Sequence, residues 1–159
     1  MATKYKVLEI AHFFLSKIDS KKGDSITPLK LQKLVYYAQA WHYTVFNEAL
    51  YDDKIEAWTH GPVVRSLWEK FKDVGKDTSI DITQLNIVVP SFSNPTRTLL
   101  EEVNKIYGEH SGSYLEDLTH SEAPWKEARG NSSVYAASTN EITLKSLKAY
   151  YSQLRNGKK

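Results

Sequence analysis

Apolar residues recur at helical spacing along most of the chain. Between Tyr5 and Ile18 the positions Val7, Leu8, Ala11, Phe14, Leu15 and Ile18 form one stripe, flanked by His12 and Phe13. The polar stretch Asp19 to Ser25, with Gly23, reads as a loop. The next helix carries the clearest start signal. Thr27 can accept an orphan backbone N–H, Pro28 suits the first helical position, and Ile26 and Leu31 stand at hydrophobic-staple spacing. The pattern runs to about Phe46 through Leu31, Leu34, Val35, Ala38, Trp41, His42 and Val45, and Tyr36, Tyr37 and Tyr43 broaden it. A helix this apolar around its girth is expected at the centre, packed on several sides.

After a turn with at most a short extended piece over Asn47 to Thr59, Pro62 is expected to start a third helix bearing Val63, Val64, Leu67, Trp68 and Phe71. Ser79 to Phe92 fits either a short hairpin, on its run Ile87-Val88-Val89, or an ordered loop. Asn94 and Pro95 supply a cap and first-turn pair for a helix through Tyr107, which Gly108 stops. Ser113 and Glu116 have capping-box spacing for a short helix, and Pro124 opens another through Trp125 and Ala128. Gly130 to Thr139 reads as loop. Thr143, with Ile142 and Leu147 as a staple, starts a last helix ending near Leu154. The expectation is a mainly α, single-domain fold over residues 1–155. It has about five main helices, short helices and one small β-hairpin at most, and 156–159 form a polar tail.

Composition narrows the chemistry. The 159 residues contain no cysteine, which removes thiol catalysis, cysteine-based zinc sites and disulfides together. No stretch approaches the roughly 18 apolar residues of a membrane span, and the N-terminus does not resemble a signal peptide, so a cytoplasmic location is expected. The formal charge is +2, and Lys and Arg are spread out except at Arg155 to Lys159, which reads as a solvated end. That is not the basic stripe of a dedicated nucleic-acid binder. The five histidines do not form HExxH, and G-x-S-x-G, GxGxxG and P-loop patterns are absent. No cofactor, metal or catalytic residue is expected. A hydrolase built on His60, His120 and Glu122 is the only enzymatic alternative the residues leave.

Two segments resemble neither filler nor catalysis. Glu56 to Val64 packs a Trp, a His and a Gly-Pro turn into nine residues, and Leu118 to Trp125 repeats a His, an acidic residue and Pro-Trp. Their tryptophans can cap the core while Pro and Gly shape the corners. They can also form a partner surface, and aromatic residues are frequent interface anchors. Trp58, His60, Arg65, His120, Glu122 and Trp125 are expected close together as that surface.

The stretch Ile26-Thr27-Pro28-Leu29-Lys30-Leu31-Gln32-Lys33-Leu34-Val35-Tyr36-Tyr37-Ala38-Gln39 resembles the opening signature of the Panacea domain, the SocA-like or GepA-like antitoxin domain. Glu56-Ala57-Trp58 with Gly61-Pro62-Val63-Val64 looks like its second signature. Leu118 to Glu122 with Pro124-Trp125 looks like its third, and Ile142-Thr143 leading to Leu147 and Tyr150-Tyr151 is similar to its closing helix. The resemblance implies a helical domain of bacteria and phages, acting as an antitoxin through direct association with a cognate toxin encoded nearby. It brings no catalytic residues. Some family members carry an added DNA-binding domain; this chain is expected to have only the Panacea domain, which argues against promoter autoregulation. The alternatives are a phage or prophage counter-defence role or a DNA-binding autoregulator.

Overall fold

The helix opened by Thr27 is the axis around which the rest is arranged. The computed structural model describes residues 5–133 and 135–157. In it α1 (Val7–Ser16) leads to α2 (Pro28–Phe46), followed by β1 (Ile55–Trp58), β2 (Gly61–Val63) and α3 (Arg65–Phe71). Then come α4 (Asn94–Tyr107), α5 (Gly112–Ser121), α6 (Ala123–Arg129), β3 (Glu141–Ile142) and α7 (Leu144–Arg155). The fold is mainly α with one small antiparallel sheet of order β2-β1-β3. Lys158 and Lys159, part of the expected tail, lie outside the described residues.

Thr27 and Thr143 cap α2 and α7 as their spacing predicts, each hydroxyl accepting a backbone N–H three residues on, from Lys30 and Ser146. α2 is buried on nearly every side, against α7, α5, α4 and α1. Leu31, Leu34, Val35 and Ala38 are essentially inaccessible. Each large apolar side chain so buried contributes roughly 1.5–3 kcal/mol.

The same helix also carries buried polar hooks. Gln32 accepts from Val64 N–H at 2.9 Å and donates to Val64 O at 3.1 Å. Gln39 accepts from Leu50 N–H and donates to Tyr51 O. His42 lies between Glu48 O at 2.7 Å and the Thr96 hydroxyl at 2.9 Å. Backbone at the chain's returns is thus satisfied by helix side chains rather than by a larger sheet.

Several local expectations are corrected. Pro62 does not start a helix. It sits in β2, paired with Ala57 of β1, on an edge strand where its missing N–H is tolerated. α3 begins at Arg65 with Val64 in the cap position and no side-chain cap. Over Ser79 to Phe92 the loop alternative holds. A 3₁₀ turn, Ile82–Gln84, interrupts it, and the β-branched run lies along α1, where Val88 N–H donates to His12 Nδ1 at 3.1 Å. The cap of α4 is Ser93, with Asn94 already helical. The cap of α5 is Ser111, which accepts from Tyr114 N–H, so Ser113 and Glu116 form no capping box.

Candidate functional site

Both signature segments meet at one corner of the molecule. β1 and β2 form a tight hairpin with Trp58 opposite Gly61 and Thr59-His60 at its tip. Gly61 has φ 104°, a conformation that favours glycine. A Cβ there would stand 2.7 Å from Lys33 Cε and 2.9 Å from Thr119 Oγ1, so the hairpin can lie this close to α2 and α5 only with glycine.

α6 grips β1 from behind. Trp125 Nε1 donates to Trp58 O at 2.8 Å, and Arg129 donates to Ala57 O at 2.9 Å. Arg129 is buried and also donates to Ser133 O at 2.7 Å and to Ala136 O, so one guanidinium ties β1 to the loop before β3. The His120 ring stacks on Trp125, with centroids 4.0 Å apart and planes at 22°. Burial holds the His120 imidazole below the usual histidine range, and its buried Nε2 has no hydrogen-bond partner.

Glu122 turns inward. It is 4% exposed, and one carboxylate oxygen accepts from both Tyr37 and Tyr151 hydroxyls at 2.8 Å. Burial raises its carboxyl above the usual range against the pull of those two bonds. The tyrosines continue inward, with Tyr37 stacked on Tyr107 at 3.9 Å and Trp41 Nε1 donating to the Tyr107 hydroxyl.

The outer layer is built from Trp58, Trp68, Arg65 and His60. Trp58 meets Trp68 edge-on at 5.4 Å, and the Arg65 guanidinium lies 5.3 Å from the Trp58 ring. Glu56 locks this group, accepting from Trp58 Nε1 at 2.8 Å and from Arg65 at 2.8 Å. Burial alone would raise the Glu56 carboxyl, but the bonds from Arg65 and Trp58 outweigh it and leave it below its ordinary value. The His60 side chain is half exposed and pairs with Glu116 at 3.2 Å.

Of the six residues expected together, Trp58, His60 and Arg65 therefore face outward. Trp125 and Glu122 are buried, and His120 lies stacked between the two groups. No shared His60–His120–Glu122 constellation forms, because Glu122 is committed to tyrosine hydroxyls and His60 to Glu116. Among the described residues no group of three or more His, Asp or Glu side chains is placed to hold a metal ion.

Beside Trp58 opens a pocket of about 560 Å³, within the roughly 300–1,000 Å³ span of ligand sites. Leu31, Leu67, Trp68 and Phe71 line it, and Lys33, Arg65, Lys72 and Lys76 supply nitrogen cations. The loop 137–139 closes one side. Sequence reasoning missed Lys33, Trp68, Lys72 and Lys76 as site residues, and it missed Arg129 as their support. The one available signal was Lys33, a charged residue inside the apolar run Leu31 to Ala38. It is 1% exposed, its Nζ donates to Pro62 O at 3.2 Å, and burial lowers its pKa to about 7.

No curated protein and no solved structure matches this chain. The family model of the antitoxin SocA-like, Panacea domain matches residues 31–126. That span runs from the core of α2 through the hairpin to the start of α6, and so includes Trp58, His60, Arg65, Trp68, His120, Glu122 and Trp125 but not Arg129, Tyr151 or the loop before β3. It is more than half of the chain, and the chain belongs to the antitoxin SocA-like, Panacea domain family.

Proposed function

We propose that this protein neutralises a toxin encoded beside it by binding that toxin directly, in the cytoplasm, and that binding is its whole activity. Trp58, His60 and Arg65 make the contact, while His120, Glu122 and Trp125 hold the contact surface rigid from behind. The observation that carries this reading is the Trp58–Trp68–Arg65 group at the mouth of a preformed pocket, in a chain of an antitoxin family. Tryptophan and arginine are the residue types that dominate interface energetics, and a surface locked by Glu56 loses little side-chain entropy on binding. The outer carboxylates of the corner, Glu56 and Glu116, are already engaged with Arg65 and His60, which suits a scaffold rather than acid–base chemistry.

The test is co-expression with the product of the adjacent gene, with growth as the readout and purification of the complex as the second measurement. Wild type restores growth and co-purifies with the toxin, and Arg65→Glu with His60→Ala loses both. A neighbour whose toxicity persists unchanged, with no complex recovered, refutes the reading.

A further inference from the structure

The pocket wall combines two features that together specify what it accepts. Its floor is apolar, formed by Leu31, Leu67, Phe71 and Trp68. Its ionisable lining residues are Lys33, His60, Arg65, Lys72 and Lys76, with no carboxylate among them. The surface cations have carboxylate partners elsewhere, Arg65 with Glu56, Lys72 with Glu69 and Lys76 with Asp77, and the His60 ring pairs with Glu116. Apart from the Glu56 lock, these are exposed pairs, which contribute little and exchange at small cost. Lys33 differs. It is buried, and the hydrogen bond its ammonium makes is to the carbonyl of Pro62, an incomplete set for a three-donor cation. Glu116 is the one carboxylate that favours its charge, and it is shared with His60, so burial still dominates and an incoming carboxylate relieves the remaining cost.

We propose that this pocket receives a bulky apolar side chain of the toxin that adjoins a carboxylate, the apolar group seating between Trp58, Trp68 and Leu67 and the carboxylate meeting Lys33 and the Arg65–Lys72–Lys76 rim. This rests on the antitoxin reading and names the chemistry of its partner. The argument for an acidic segment is charge complementarity. The depressed basicity of Lys33 supports it, because an amine near neutrality is recharged by an anion brought beside it.

The probe is N-acetyl-tryptophan, an aromatic group joined to a carboxylate, compared with N-acetyl-tryptophanamide, which has the same body and no charge. Both are titrated into nitrogen-15-labelled full-length protein and followed by NMR. The acid is expected to shift the Trp58 and Trp68 indole signals and to bind about five-fold more tightly than the amide, the scale of a charge-assisted contact. Lys33→Met is expected to erase that preference. Lys72→Glu with Lys76→Glu, two exposed changes that leave the core untouched, is expected to weaken the acid alone. Equal binding of acid and amide, or shifts confined to another face, overturns the proposal.

The same double variant is then tested against the neighbouring toxin. Loss of protection supports the proposal. Full protection by the double variant overturns it and leaves the antitoxin reading standing. Failure of wild type to protect overturns both.

Discussion

Replacing Lys33 with methionine should change how stability depends on pH, and the size of the change follows from where the amine sits. Lys33 is fully buried, and burial brings its pKa from the ordinary 10.5 to about 7. The unfolded chain therefore holds this proton up to about pH 10.5, while the folded chain releases it near pH 7. Between those values the unfolded state binds more protons, so wild-type stability rises with pH, by up to about 1.4 kcal/mol per unit. Below pH 7 both states carry the proton, and the full cost of the buried charge, about 5 kcal/mol from the shift, is present and constant.

Methionine has a similar length and no charge, and it fits the same apolar wall. The difference in unfolding free energy, wild type minus Lys33→Met, should therefore climb by about 3 kcal/mol from pH 7.0 to pH 9.5. The measurement is urea unfolding of both proteins at half-unit intervals. Stopping at pH 9.5 keeps the buried tyrosines Tyr36, Tyr51 and Tyr151, all raised well above 10, protonated in the fold. A flat difference across that range would refute the reasoning, since it would mean Lys33 keeps its ordinary pKa and reaches water.

Glu122 titrates with the opposite consequence. Its carboxyl is raised above 4.5, so the fold keeps a proton the unfolded chain has already lost, and wild type loses stability as pH rises from about 4.5 through the raised value. Glu122→Gln should lack that slope in a urea series extended down to about pH 4, and parallel curves would show that burial does not raise this carboxyl. Gly61→Ala should cost about 2–4 kcal/mol in denaturant unfolding, from the left-handed backbone and the contacts with Lys33 and Thr119, and a loss under 1 kcal/mol would mean the hairpin shifts freely. Arg129→Met should remove the guanidinium donor of Ala57 O and one of the two donors to Ser133 O, costing about 1–3 kcal/mol. It should also speed amide exchange in residues 135–140, and unchanged exchange there would remove Arg129 as the tie between β1 and that loop.

Much of the helical framework was legible along the chain because its signals are local. Thr27-Pro28 and Thr143 cap helices through atoms three residues away, and the apolar period of α2 identifies a central helix whatever packs around it. Signals of the same kind misled where a longer-range partner competed. Pro62 looks like a helix start, yet pairing with Ala57 and the Gln32 and Lys33 hooks from α2 hold its segment as a strand. Asn94 and Ser113 look like caps, but Ser93 and Ser111 take those positions.

The candidate site divides in the same way. Sequence pattern alone determined that three signatures in order, Ile26 to Gln39 and the two Trp-His segments, resemble this family, and that the chain holds no thiol chemistry. Only the tertiary structure decided which of those residues face outward. Glu122 and Trp125 turn to the core because Tyr37, Tyr151 and the Trp58 carbonyl satisfy their polar atoms there, and none of these partners is near them in the chain. Lys33, Trp68 and Lys72 join the site because α2 and α3 face each other across the β1–β2 hairpin. Caps and periodicity depend on neighbours within a turn, whereas a pocket is made by side chains that chain folding brings together from distant positions.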